Sequence, residues 1–458
     1  NILMNNTTLK DLPSVNKVLL YIKDDISIHE RYLKYLINCE LSSFRADIKK
    51  GIATKTSEEV LEYIIDRVYI KSAPRLINVI NGTGIVLHTG FGRAPFYART
   101  LREIADIMEG YVNLEFDLTS GKRGDRQVHI REHLSAICGS ESSLVVNNNA
   151  AAVMLAINEL SRGGQVVVSR GQLVEIGGSF RIPDIIEKSG AKLVEVGTTN
   201  RTHTKDYEDA INGSTKLILW VHTSNYVVKG FTKQVPLKEL VKIGKRYKVP
   251  VMVDWGSGAF LDMRSLGLAD ETPLNILMKN GPDILTFSGD KLIGGPQSGI
   301  IIGKHKLINL LQKNTLYRVV RSDKITIGLL ENTLRSYRSN SFTKDNFSLK
   351  MLTTSTNTLK NRGKKIIKYQ SNRKIKDLGI QLEPSKVEAG SGSLPENKIE
   401  SMALTFRPRA IKINELSKMF RCGPIPVVGY TSANTYYIDL KAVLPNQIIK
   451  LAKAIKEI

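Results

Sequence analysis

Seven short, nearly uninterrupted apolar runs, each followed by a helix-length spacer, constrain this chain more than any other feature. They occupy residues 143–147, 165–170, 192–197, 216–222, 250–255, 283–287 and 299–303. A strand with one face in water alternates polar and apolar residues, whereas a run that is apolar throughout is buried on both faces. The reading is therefore an α/β domain with a mostly parallel seven-stranded sheet, covered by helices on both sides. In such sheets, ligands gather at the carboxyl ends of the strands.

Three of those ends carry chemistry. The run 283–287 stops at Ser288-Gly289-Asp290-Lys291, followed by Leu292-Ile293-Gly294-Gly295. A desolvated lysine gives up its proton more readily, and a neutral amine is what forms a Schiff base. The glycine pair is expected to let the backbone lie against a flat ligand. Asp254 ends Val251-Met252-Val253-Asp254, where a carboxylate can keep a pyridinium nitrogen protonated. Alone, Lys291 reads as a solvated loop lysine and Asp254 as a turn residue; each gains weight from the other. Asn147-Asn148-Asn149-Ala150 closes a third run and opens a helix. Free amides at a helix N-terminus suit a phosphate, and a simple asparagine cap is the plainer alternative. Neither GxGxxG nor GxxxxGK followed by Ser or Thr is present.

Residues 1–73 read as a helical, basic domain. Segments 15–22, 32–44 and 60–70 carry apolar residues at three- and four-residue spacing, Ser57-Glu58-Glu59 starts the third helix, and Pro74 closes the region. Residues 74–325 form the large domain and 326–458 a small C-terminal α+β domain. In the latter, 401–406, 427–428 and 436–439 read as a small sheet and Gln447 opens a terminal helix. A helix is expected from Asp323 to residue 337, and a long exposed helix with a loop over 344–376.

Lysine and arginine number 66 against 44 aspartates and glutamates, a net charge of +22. That excess points to a polyanionic partner, with nucleic acid ahead of an anionic membrane surface. No apolar run approaches the ~20 residues of a spanning helix. The opening NILMNNTTLKDL has no signal-peptide core, and Met4 is a candidate initiator. Cys39, Cys138 and Cys422 lie far apart, which fits a reducing cytoplasm. His129-Ile130-Arg131-Glu132-His133 matches an HxxEH zinc pattern. So short a pattern without supporting context reads as a structural helix, with no metal.

The ordered segments INGTGIVLHTGFGRAP, SLVVNNNAAAVMLAINEL, VVSRGQLVEIGGSFRIPDI, VEVGTTNRT and FSGDKLIGGPQSGIIIG resemble the bacterial selenocysteine synthases, the L-seryl-tRNA(Sec) selenium transferases. The likeness runs from Leu12 to Val443. It implies pyridoxal-phosphate fold type I, aspartate-aminotransferase-like, with pyridoxal 5'-phosphate carried by Lys291. It also implies β-elimination from seryl-tRNA(Sec) to a dehydroalanyl-tRNA, then addition of selenium from selenophosphate. Transfer RNA contacts are expected in residues 1–73, in a cytoplasmic homo-oligomer built as a ring of dimers, a decamer in the family. Arg93, Arg318 and Arg321 are expected at the selenium donor, since the guanidinium fork matches phosphate oxygens. Arg170, His222, Ser224 and Ser288 join the cofactor set, and Arg181 is a further contact to cofactor or serine.

The chain departs from the family pattern at Gln172, where a glutamate is usual, and at Gly90-Phe91, Trp255 and Tyr430. The main alternative is a paralogous pyridoxal-phosphate lyase acting on a small amino acid or amino sugar acid without tRNA. A non-catalytic tRNA-binding protein is another. The basic helical N-terminus argues against the first, and intact Asp254 and Lys291 against the second.

Overall fold

All seven apolar runs are strands of one sheet. Its order is Ser142–Val146, Gly299–Gly303, Ile284–Ser288, Val251–Asp254, Thr215–Val221, Gln165–Ser169 and Lys192–Val196. Gly299–Gly303 is antiparallel to both neighbours and every other pair is parallel. Successive residues point to opposite faces. Val145, Val253, Leu285 and Ile300 enter one core, and Leu144, Val146, Met252 and Ile284 enter the other. Both faces are dry, which is why the runs show no polar alternation. Because Ile284–Ser288 and Gly299–Gly303 are antiparallel, a short connection over 289–298 joins them, and Lys291 sits in it.

The computed structural model describes residues 7–176, 180–223, 228–268, 270–390 and 398–458. The chain divides into two units, Asn1–Asn78 and Val79–Ile458. Within the second, Gln381–Val387, Ile399–Phe406, Thr435–Asp439 and Tyr430–Ser432 form an antiparallel sheet in that order. Gln381–Val387 escaped the sequence reading because it is an edge strand of mostly polar residues with Pro384 inside it, a place where proline is tolerated. Val427–Val428 does not join this sheet; it pairs in parallel with Ile80–Asn81.

The long exposed helix expected over 344–376 is instead four short helices, Phe342–Asp345, Phe347–Leu352, Thr356–Lys368 and Asn372–Leu378. The side chains of Asn346, Ser355 and Ser371 each accept a backbone N–H of the helix that follows. Each such cap starts a new helix, and Phe347, Leu349, Met351 and Leu352 turn into the core.

The first unit holds the helices Val15–Ile22, Glu30–Lys49 and Ser57–Ser72. Ile22, Leu33, Ile37, Val60 and Ile64 make its core. Thr56 and Glu59 form a capping box at the third helix. Glu40 is buried and held by Arg67 at 3.1 Å and by Lys71. The expectation of a basic N-terminal region fails on counting. Residues 1–73 carry 11 lysines and arginines against 10 aspartates and glutamates, so the surplus charge belongs to the rest of the chain.

Candidate active site

A cavity of about 280 Å³ opens at the carboxyl edge of the large sheet, lined among others by Arg93, Asn148, Asn149, Ala150, His222, Asp254, Ser288 and Lys291. Four strand ends supply it: Val146, Val221, Asp254 and Ser288 are the last residues of their strands.

Lys291 is 5% exposed. Burial lowers its pKa to about 8, helped by the charge of Arg93 and opposed by Asp254, Asp290 and Glu271. Its room is made by Gly256, where a Cβ would come within 3.4 Å of Lys291 Nζ. The glycine pair behaves otherwise than expected. Gly294 has φ +73°, and a Cβ there would strike Asn346 Oδ1 at 2.5 Å; one on Gly295 would press the Gly289 carbonyl at 3.0 Å. These glycines let the loop pack on protein, and neither is among the residues that line the cavity.

Asp254 is buried at its strand end. Asn149 Nδ2 donates to its Oδ1 at 2.9 Å, and the Thr286 hydroxyl donates to the same oxygen at 3.2 Å. Thr286 is its register partner on the neighbouring strand. Burial raises the Asp254 pKa, while the Asn149 bond, the Lys291 charge and the Thr286 bond oppose the rise. Asn148 caps the Asn149–Ser161 helix by accepting from the Ala151 N–H at 2.9 Å. His222 stacks on Trp255 with centroids 3.8 Å apart, and Trp220 lies behind at 5.5 Å. Burial and then the Lys291 charge push the His222 pKa down to about 4, so its ring is neutral at physiological pH. Trp255 thus serves as a flat support for His222. Arg93 holds a left-handed φ of 61°, and its Nε lies 3.3 Å from Asp290 Oδ2.

Other expected residues stand off this cavity in the single chain. Asn147 is exposed, with its N–H donating to the Val320 carbonyl at 2.8 Å. Arg170 pairs with Glu195 and Arg181 with Glu175, each at 2.9 Å and on the surface. Arg318 is exposed on the helix Thr315–Val320, and Arg321 pairs with Glu115 at 3.1 Å. Ser224 lies outside the described residues. Gln172 is buried, and its Oε1 accepts the Val221 N–H at 3.2 Å; it steadies the end of the strand that leads into His222. Tyr430 stacks on Tyr437 at 4.9 Å. His129 Nε2 lies 3.2 Å from the Leu114 carbonyl, and His133 faces Glu331 at 3.6 Å.

Sequence reasoning missed Phe180, Gly256, Asp290, Gln297 and Ser298, which also line the cavity. Asp290 is adjacent to Lys291, and Gln297-Ser298 closes the same connection, so position alone could have nominated them. Phe180 carried no signal. A larger groove of about 420 Å³ near Phe420, Cys422 and Ile458 has only surface charges, Glu415, Lys418 and Glu457.

The donor set of the smaller cavity fits pyridoxal phosphate. A helix N-terminus suits its phosphate, a buried carboxylate suits a ring nitrogen, and a deprotonatable amine suits its aldehyde. The Asn149 Oδ1 is buried without a hydrogen-bond partner, a polar atom that a ligand in this cavity can satisfy.

Residues 79–444 match the family model described as SelA: L-seryl-tRNA selenium transferase. The chain is 38% identical to the L-seryl-tRNA(Sec) selenium transferase of Desulfotalea psychrophila over 459 residues, covering 99% of this chain and 98% of that protein. It is 40% identical to the protein of that name from Caldanaerobacter subterraneus subsp. tengcongensis over 454 residues, with 98% of each covered. Among solved structures, D-glucosaminate-6-phosphate ammonia-lyase shares the fold at a TM-score of 0.59 and 18% identity, over 83% of this chain and 95% of that one.

Proposed function

The chain belongs to the L-seryl-tRNA selenium transferase family, and from that premise we propose that it converts seryl-tRNA(Sec) to selenocysteinyl-tRNA(Sec) on pyridoxal 5'-phosphate. The observation that carries this is the convergence of Lys291 and Asp254 in one cavity at the sheet edge. The likeness to the ammonia-lyase reaches only the fold, so it brings no substrate with it.

When bound, pyridoxal phosphate supplies an electron sink for a carbanion at the α-carbon of the seryl group. Asp254 is the residue that keeps the ring nitrogen protonated, and Asn149 and Thr286 hold its carboxylate in place. The helix N-terminus at Asn149 and Ala150 would receive the phosphate. Lys291 would hold the cofactor at rest and, once released from it, would move the proton at the α-carbon through Nζ, whose pKa burial lowers to about 8. Arg93, already in the cavity, binds the selenium donor, selenophosphate, and Arg318 and Arg321 are assigned to the same donor on the family resemblance.

Residues 1–73 are assigned to tRNA recognition. Their near-neutral charge gives no electrostatic support; the support is the resemblance and the exposed stack of Tyr32 on Tyr35, 6.1 Å apart, since bases stack on such rings. The exposed apolar side chains of Tyr111, Phe116, Leu118 and Val319 support a homo-oligomer, because a second copy would cover them. A ring of dimers is its form in this proposal. No helix among the described residues is long and apolar enough to cross a membrane. The three thiols are unpaired, which supports a cytoplasmic location.

The deciding assay supplies purified full-length protein with pyridoxal phosphate, seryl-tRNA(Sec) and selenophosphate. Selenocysteinyl-tRNA is the expected product. Inertness toward the charged tRNA, together with ammonia release from a small amino acid, would move the protein to the lyase reading.

A further inference from the structure

One buried acid near Lys291 has no part in the chemistry above. Glu271 is 5% exposed and receives a hydrogen bond from the hydroxyl of Ser257, which is itself fully buried. Ser257 belongs to the loop that leaves Asp254, and that loop is fastened on both sides of the lysine. The Gly256 carbonyl accepts the Ser288 N–H at 3.4 Å, and the Ser257 carbonyl accepts the Leu292 N–H at 3.3 Å. Gly256 is also where a Cβ would lie 3.4 Å from Lys291 Nζ. On the other side, Glu271 Oε1 is 3.9 Å from His222 Nδ1, a buried nitrogen with no hydrogen-bond partner.

We propose that Glu271 is a positioning residue of this site, holding Ser257 and the loop against which the Lys291 side chain lies, and supplying negative charge to that amine. A carboxylate is costly to bury unless a cation or several donors compensate it. A purely structural partner for one hydroxyl does not require an ionisable group. Burial raises the Glu271 pKa, and the Ser257 bond, the Trp255 indole and the Lys291 charge oppose it, in that order. The field is reciprocal: Lys291 senses Arg93, Asp254, Asp290 and Glu271. Glu271 in turn senses Lys291 and the exposed Asp270, while His222 beside it is neutral.

The inference rests on Lys291 carrying the cofactor, and its test separates the two. Full-length protein loaded with pyridoxal phosphate is titrated with pH while the visible absorbance of the bound cofactor is followed. Glu271→Gln keeps the size and an oxygen for Ser257 but removes the charge. Its midpoint should move down by about one pH unit, as for loss of one nearby opposite charge, and turnover should fall with the KM for seryl-tRNA unchanged. Asp270→Asn, an exposed neighbour paired with Arg264 at 3.3 Å, should leave midpoint and turnover in place. A Glu271→Gln midpoint that coincides with the wild-type one, or an Asp270→Asn shift as large, overturns the proposal. If Glu271→Gln does not fold, Ser257→Ala replaces it: lower turnover with the cofactor band retained supports the role, and wild-type turnover overturns it. A wild-type protein that develops no cofactor band defeats the functional reading and this inference with it, whereas a band whose midpoint ignores Glu271→Gln defeats this inference alone.

Discussion

The second unit buries two lysine–aspartate pairs, and they are close to indistinguishable by electrostatics. Lys291 with Asp254 lies at the large sheet, and Lys441 with Asp439 at the small one. Both lysines are nearly inaccessible, and burial lowers each to about pKa 8. Both aspartates are raised by burial. What differs is the surroundings. Asp439 accepts from the hydroxyls of Ser385 and Ser401 and from the Lys441 N–H, while Lys441 Nζ donates to the Thr354 carbonyl at 2.8 Å. That pair is satisfied within packed protein and lines neither cavity described above. Lys291 faces a cavity with a helix N-terminus, a neutral histidine and an arginine. A depressed lysine pKa reports burial; only burial beside a shaped, polar opening reports a nucleophile.

The largest expected effect separates the pairs outright. Lys291→Ala should cut turnover by at least about a thousandfold, the scale of a lost catalytic base, with the melting temperature little changed. Lys441→Met should do the reverse: cofactor binding persists, while denaturant unfolding reports a loss of about 3 kcal/mol from leaving Asp439 buried without its cation. Equal losses of activity in the two variants would erase the distinction. Next, Asp254→Asn should slow turnover by on the order of a hundredfold, as for removal of one preorganised charge. Asp439→Asn should leave steady-state turnover near wild type. A smaller effect, about tenfold, is expected for Asn149→Ala, which strips one donor from a buried carboxylate; an unchanged rate would show that Thr286 alone orients Asp254.

The pH dependence sharpens the comparison further. The neutral amine is the reactive form, and the Lys291 pKa is lowered from 10.5 to about 8. Capture of pyridoxal phosphate by the cofactor-free protein should therefore rise with pH through about 8 and then level. A rate still climbing towards pH 10.5 would mean that burial does not act on this amine.

Much of this was legible from residues alone, and the failures have physical causes. The seven strands were visible because a sheet buried on both faces writes itself as continuous apolar runs. Lys291, Asp254 and Asn149 were visible because each follows such a run. Gly294 was misassigned because a left-handed glycine reads the same whether Asn346 or a ligand fills the space beside it. Glu271 and Phe180 carried no signal, since their place at the site is created by folding across distant segments. The capped helices of 342–378 were missed because Asn346, Ser355 and Ser371 look like ordinary polar residues in a basic stretch.

The most direct test asks the protein which of these two buried lysines takes the cofactor. Full-length protein is loaded with pyridoxal phosphate, reduced with borohydride and mapped by peptide mass. The account predicts the pyridoxyl group on Lys291 and an unmodified Lys441. Label on Lys441, on another lysine in place of Lys291, or on none in cofactor-loaded protein would contradict it.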